Sequence, residues 1–255
     1  MSRPFDAVLF DLDGTLLETA PEIGAAVSLA IAEQGLPTVD SAEVRFFIGH
    51  GVRQTIAKAY DTVATTGTSA EKRDADIDAA LIRFEHHYER LAPQSQPFAD
   101  TVSTLTTLRA LGVKCAIVSN KETRFVEQLL AGGPLPGLID LLVCGDTLAK
   151  KKPDAAPILY ALEEFGTAPS RTLMVGDSSI DVACARNAGV PVWMVPYGYN
   201  GGHPAESAGA DRVIPTLTEV AVACSGTVSA SVNLAPGLSS APITPLNHKR
   251  LNSWH

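Results

Sequence analysis

Short apolar runs ending in polar, glycine-bearing turns alternate along this chain with segments of helical period. Residues 5–10 (FDAVLF) are the first such run and empty into Asp11-Leu12-Asp13-Gly14, the pattern of a buried strand leaving a sheet. Comparable runs lie at 113–118, 141–144, 172–175 and 191–195, with a short one at 212–214. Between them the spacing of apolar positions predicts helices over 101–111, 122–130, 154–165, 179–188 and 217–223, with Gly112 and Gly189 as stops.

Strands alternating with single helices give a parallel sheet with right-handed crossovers. The stretch between the first and second strands breaks this rhythm, because only helical patterns occur there. Thr19-Ala20-Pro21-Glu22 has the form of a capping box opening a helix to about Gln34, with Gly35 as its stop. Further helices are predicted over 41–47, 51–60 and 69–91, the last opened by Ser69-Ala70-Glu71 after a polar Thr/Gly stretch at 62–68. This block is too long for one crossover. The expected fold is therefore α/β, a Rossmann-like parallel sheet core with an inserted all-helical cap domain after the first strand. The expected units are a core of residues 1–16 and 94–224 and a cap of 17–93. Residues 225–255, rich in Ser, Ala, Pro and Gly with no charge before Lys249, read as a disordered tail.

Composition narrows the class. The 255 residues are 45% hydrophobic and 19% charged, a globular balance, and a chain this long buries about three-quarters of its extended surface. Aromatics make up only 6%, so the core is expected to be Ala, Val, Leu and Ile. With 28 acidic and 20 basic side chains the formal charge is −8, which argues against a nucleic-acid partner. No uninterrupted apolar run reaches the membrane-spanning length of about 18 residues, and the N-terminus has no signal-peptide pattern. The 4 cysteines are far apart without CxxC spacing, as expected for reduced core thiols in a cytoplasmic protein, monomer or homodimer.

In open α/β sheets ligands bind beyond the carboxyl ends of the strands. Four strands here end in Asp11-Leu12-Asp13-Gly14-Thr15, Ser119-Asn120, Gly145-Asp146 and Gly176-Asp177-Ser178-Ser179-Ile180-Asp181. Parallel strands bring these turns to one rim and crowd several carboxylates there. A divalent cation relieves their repulsion, and all-oxygen ligands around a small ion indicate Mg2+. Thr15, Ser119 and Lys152 add donors for an anion. Acids, a metal and anion donors together are what phosphoryl transfer requires. Of Asp11 and Asp13, one can attack phosphorus while the other handles the proton. Each piece alone has a plainer reading. The first turn could be a surface turn or a calcium loop, Ser119-Asn120 a helix start, Lys150-Lys151-Lys152 a solvated face, and Gly176-Asp177 an ordinary strand exit. Their common placement at strand ends makes the case.

On these residues the chain resembles the haloacid dehalogenase superfamily. The matching motifs are Asp11-Leu12-Asp13-Gly14-Thr15-Leu16, Val118-Ser119-Asn120, Lys152-Pro153 and Gly176-Asp177-Ser178-Ser179-Ile180-Asp181, and the likeness runs from about Phe5 to Val220. Within it the chain is most similar to phosphoglycolate phosphatases. That likeness rests on Phe47-Ile48-Gly49-His50-Gly51, on Lys151-Lys152-Pro153 with Pro157, and on Tyr197-Gly198-Tyr199-Asn200.

The resemblance implies roles. Asp11 would be the nucleophile that forms an aspartyl-phosphate. Asp13 would protonate the leaving alcohol and then deprotonate water. Ser119 and Asn120 would bind the phosphoryl oxygens, and Lys152 would hold both phosphate and nucleophile. Asp177 would ligate Mg2+ with the Asp11 carboxylate and the Asp13 carbonyl, supported by Asp181 directly or through water. The inserted helices would close over the site, with Gly49, Gly51 and Arg53 in a substrate loop. Arg53 would meet a substrate carboxylate, or else be a surface helix residue. The chain departs from the pattern at Glu18-Thr19, where Asp-Ser is usual. Ala155 stands for a second Pro, and Phe98-Ala99-Asp100 for Tyr-Pro-Gly.

The implied activity is Mg2+-dependent hydrolysis of a small phosphorylated metabolite, 2-phosphoglycolate first. Alternatives are another phosphate (sugar phosphate, nucleotide or pyrophosphate) and a non-catalytic regulator that binds a phosphorylated ligand. A mutase of the β-phosphoglucomutase type would place a His where Ile23 stands. A dehalogenase would use no metal and lack Asp13.

Overall fold

The computed structural model describes residues 3–65, 67–131 and 133–226. The expected disordered tail therefore lies, from residue 227 on, outside the described residues. Eight strands are described there: β1 (Ala7–Phe10), β2 (Leu17–Glu18), β3 (Gln96–Pro97), β4 (Lys114–Val118), β5 (Leu141–Val143), β6 (Thr172–Gly176), β7 (Val192–Met194) and β8 (Arg212–Val213). Six form a parallel sheet in the order β5-β4-β1-β6-β7-β8. The chain runs outward from β1 through β4 and β5, then returns to build the other half, so the strand order switches beside β1.

Alternation along each strand divides two layers. Val8, Phe10, Cys115, Ile117, Leu173 and Val175 face one core, whereas Leu9, Ala116, Val118 and Met174 face the other. The second core is closed by α7 (Ala156–Phe165) and α8 (Ser179–Ala188), and the first by α5 (Thr101–Ala110), α6 (Thr123–Leu130) and α9 (Thr218–Ser225). All 4 cysteines are free and buried. Among the described residues no helix is long and apolar enough to cross a membrane.

The helical insertion follows β1 as expected, with α1 (Ala20–Ala32), α2 (Ser41–Val44), α3 (Val52–Val63) and α4 (Ala70–Leu91). Its apolar residues Ile31, Ile56, Ile77 and Phe84 are fully buried and continuous with the first core. Helix α4 starts on Ser69, whose hydroxyl accepts the Lys72 N–H at 3.2 Å. The helix expected over 41–47 ends at Val44, and Arg45–Phe47 tightens into a 3-10 turn.

Two features differ from the sequence reading. First, β2 and β3 pair antiparallel where the insertion leaves and re-enters the sheet domain. Strands of two residues are too short to show an alternating period. Second, the capping box at Thr19 does not form, because the Thr19 side chain makes no cap hydrogen bond. Its hydroxyl donates to Asp13 Oδ1 at 2.6 Å, while Glu22 accepts from Ser95 Oγ at 3.0 Å. The α1 start is covered instead by the Tyr199 hydroxyl, which accepts the N–H groups of Thr19 and Ala20 at 3.0 Å each.

Candidate active site

Strand register builds the site. Phe10 stands opposite Ile117 of β4 and Val175 of β6. Asp11, Ser119 and Asp177 therefore leave their strands at one rim. The Asp11 N–H still donates to Val175 O and the Ser119 N–H to Val143 O, both at 2.9 Å, so sheet pairing continues into the site residues themselves.

Asp11, Asp177 and Asp181 are buried there with one carboxylate oxygen each, all within 4.8 Å of one another. Lys152 Nζ bridges two of them, 2.7 Å from Asp11 Oδ1 and 2.7 Å from Asp181 Oδ1. Burial opposes the Lys152 charge, but the two carboxylates outweigh it and hold the ammonium above its ordinary range. One cation does not balance this acid cluster. Burial pushes Asp11 up to about 7, with Lys152 pulling it down and Asp181 pushing it up further. Burial also raises Asp177 well above the carboxylate range, and repulsion from Asp11 and Asp181 adds to it. Buried, oxygen-only and under-neutralised, this donor set fits a hard divalent cation such as Mg2+.

The Asp177 carboxylate is held from several sides. Its Oδ2 accepts the Tyr199 N–H and its Oδ1 lies 3.4 Å from Thr15 Oγ1. Gly14, at φ 85°, and Gly198 pack so close that a Cβ on either would collide with it. Asp181 Oδ2 accepts from Ser178 N at 3.1 Å and Ser178 Oγ at 2.6 Å, so the first turn of α8 fixes this acid.

Asp13 stands apart from the three-acid cluster. Its Oδ1 receives the Thr19 hydroxyl and Lys121 Nζ, each at 2.6 Å. Burial opposes the Lys121 charge, and Asp13 beside it outweighs burial and keeps the ammonium above its ordinary range. Ser119 Oγ accepts the Lys121 N–H at 3.2 Å, which leaves the hydroxyl proton for a ligand. Asp11, Asp13, Ser119, Lys121 and Lys152 share one pocket, and Ile23, Ile48, Val52 and Thr55 of the insertion line its other side.

A family model described as "Haloacid dehalogenase-like hydrolase" matches residues 8–195. The chain belongs to this family of hydrolases. It is 40% identical over 220 residues to a phosphoglycolate phosphatase of Thiobacillus denitrificans, covering 86% of this chain and 95% of the relative. The crystal structure of a predicted phosphoglycolate phosphatase from Haemophilus somnus superposes with a TM-score of 0.78 at 27% identity, over 85% of this chain and 96% of that one. CbbY from Rhodobacter sphaeroides, solved in complex with phosphate, matches with a TM-score of 0.69 at 26% identity, over 85% and 96% of the respective chains.

Several residues expected in the site of this hydrolase family sit otherwise. Arg53 does not line the pocket. It lies on the outer side of α3, 48% exposed, with Nε 3.0 Å from Asp78 and Nη2 3.4 Å from Asp74, so two carboxylates of α4 hold it away. The Asn120 side-chain amide is occupied, donating to Gly49 O at 3.0 Å and Lys152 O at 2.9 Å. It braces the insertion loop against the loop that carries Lys152 between β5 and α7. Thr15 turns its hydroxyl to Asp177. Gly49 and Gly51 line the pocket with φ of 127° and 97°, and a Cβ on Gly51 would lie 3.3 Å from Lys151 Nζ. Of the three consecutive lysines, Lys150 pairs with Asp154 at the surface, Lys151 reaches His50 O at 2.9 Å, and Lys152 is buried.

Sequence reasoning missed Lys121 and the double role of Tyr199. A signal existed for the first: Lys121 lies two residues past Ser119, inside a turn already assigned to the rim. For Tyr199 only its place in the 197–200 run was visible.

Proposed function

We propose that the protein is a Mg2+-dependent phosphomonoester hydrolase that works through an aspartyl-phosphate and converts 2-phosphoglycolate to glycolate. The observation that carries the reading is the arrangement of two carboxylates with separate partners. Asp11 is bridged by Lys152 within the acid cluster, while Asp13 is held outside it by Thr19 and Lys121. Environments that differ in this way divide a nucleophile from a proton carrier.

Asp11 attacks phosphorus, an Asp11 Oδ–P bond forms, and the ester P–O bond breaks. The leaving oxygen takes the electron pair and a proton from Asp13. Water then attacks the phosphorus of the acyl phosphate, gives its proton to Asp13, and releases inorganic phosphate with the Asp11 carboxylate restored. Lys152 and the Ser119 hydroxyl hold phosphoryl oxygens. Mg2+ would be held by Asp11 and Asp177 with the Asp13 carbonyl, supported by Asp181 directly or through water, and when bound it neutralises charge on the phosphoryl group. The insertion, residues 17–93, acts as a cap whose Ile23, Ile48 and Val52 leave room for a small leaving group and exclude water. The substrate is supported by the 40% identical relative named phosphoglycolate phosphatase.

Phosphate release from a panel of small phosphate esters, with Mg2+ and with EDTA, tests this. Turnover of 2-phosphoglycolate ahead of sugar phosphates, nucleotides and pyrophosphate, abolished by EDTA, is expected. Absence of phosphate release from every ester would overturn the enzyme reading.

A further inference from the structure

We propose that Lys121 is a positioning residue for Asp13, fixing which of its two oxygens carries the transferable proton. This assignment rests on the acid–base role proposed above for Asp13. Burying an ammonium costs several kcal/mol unless a partner compensates. The Lys121 side chain is only 3% exposed. Its ammonium meets Asp13 Oδ1 at 2.6 Å and lies 5.1 Å from the ring centroid of Tyr88. Tyr88 belongs to α4 of the insertion and packs edge-on against Phe125 of α6, with centroids 5.6 Å apart. The lysine is thus seated between an aromatic wall and one carboxylate oxygen.

The same oxygen receives the Thr19 hydroxyl at 2.6 Å. Two donors, from residues 6 and 108 positions away in the chain, converge on Oδ1. Among the described residues no hydrogen bond falls on Asp13 Oδ2, and Asp13 lines the pocket beside Asp11 and Ser119. Two donors on Oδ1 occupy its lone pairs, so a proton carried by Asp13 sits on the other oxygen. As the Asp11 Oδ–P bond forms and the ester bond breaks, the leaving oxygen receives its proton from Oδ2. The resulting Asp13 carboxylate keeps Lys121 and Thr19 on Oδ1. In the second half-reaction Oδ2 accepts the proton of the attacking water.

The test compares Lys121→Met, Thr19→Val and Thr19→Ser on three esters: 2-phosphoglycolate, ethyl phosphate and p-nitrophenyl phosphate. The first two release poor leaving groups that need a proton; the third does not. Lys121→Met is expected to lower the single-turnover rate of alcohol release from both alkyl esters by about 100-fold, the lower end of general acid catalysis. Its KM should stay near wild type, and single-turnover release of p-nitrophenol, which precedes the step that needs Asp13 as a base, should change little. Thr19→Val should show the same selective loss in weaker form, and Thr19→Ser should restore the wild-type pattern; these two carry the test if Lys121→Met does not fold. An equal loss in the release of all three leaving groups would make Lys121 merely structural and overturn the assignment. A rise in KM confined to 2-phosphoglycolate would overturn it too, because Lys121 would then be holding the substrate carboxylate. If the wild-type protein turns over none of the three, the function proposed above fails, a result distinct from either.

Discussion

Lys152 Nζ stands 2.7 Å from Asp11 Oδ1, inside a site where both side chains are nearly closed to solvent. The contact holds an oxygen of the proposed nucleophile while leaving the acid cluster short of positive charge. Asp11→Asn keeps the shape and removes the proposed nucleophile. Turnover should fall by about four orders of magnitude or more, the scale seen when a covalent nucleophile is lost. The folded structure should persist, as judged by circular dichroism and a cooperative melt. Activity near wild type in this variant would place the nucleophile elsewhere.

Gly198 has no room for a side chain, since a Cβ there would run into the Asp177 carboxylate and the Gly14 carbonyl. Gly198→Ala should displace Asp177 and weaken Mg2+ binding. In the wild-type protein, Mg2+ at a hundred times its Kd should stabilise the fold by about 2.7 kcal/mol. Thermal melts at increasing Mg2+ should show that gain in the wild type and little of it in Gly198→Ala. Equal gains in both would mean that the acid cluster is not the cation site.

Arg53 is occupied by Asp74 and Asp78 on the exposed side of α3. Arg53→Ala should leave kcat and KM for 2-phosphoglycolate within about twofold and stability within about 0.5 kcal/mol, as for most surface positions. A large rise in KM would show that the side chain swings into the pocket when substrate binds.

Asp6 sits just before β1 and takes Arg171 through two hydrogen bonds, Nε to Oδ2 and Nη2 to Oδ1, at 2.9 Å each. Arg171 first and Arg3 second hold its carboxyl below the ordinary value of 3.8. A depressed folded value means that the stabilisation is present above that ordinary value. It is lost as pH falls through the lower folded one. Urea midpoints measured from neutral pH down to strong acid should therefore fall more steeply below 3.8 in the wild type than in Asp6→Asn. Parallel curves would show that the pair contributes nothing.

The alternation of strand and helix, the helical insertion and the gathering of strand-end turns at one rim were legible because each is written in local period and punctuation. The acids at 11, 177 and 181 follow from those turns once the sheet is parallel. What escaped depends on contacts between distant segments. Thr19 looks like a cap because its next three residues fit one, yet Asp13 lies within reach and takes its hydroxyl. Arg53 looks free until Asp74 and Asp78 arrive on a neighbouring helix. The Tyr199 hydroxyl serves a helix start 179 residues away, which no window along the chain contains. Lys121 was the nearest miss, because its turn was identified and only its depth was not.

The pairing of Phe10 with Ile117 and Val175 has a consequence for how this protein could change. A slip of one position along β1 would turn Val8 and Phe10 from one layer to the other and carry Asp11 away from Ser119 and Asp177 in the same movement. Apolar side chains far from any reactant thereby act as a ruler for the chemistry. Variation in the insertion leaves that ruler untouched, so a new substrate wall can be tried without recalibrating the reacting groups.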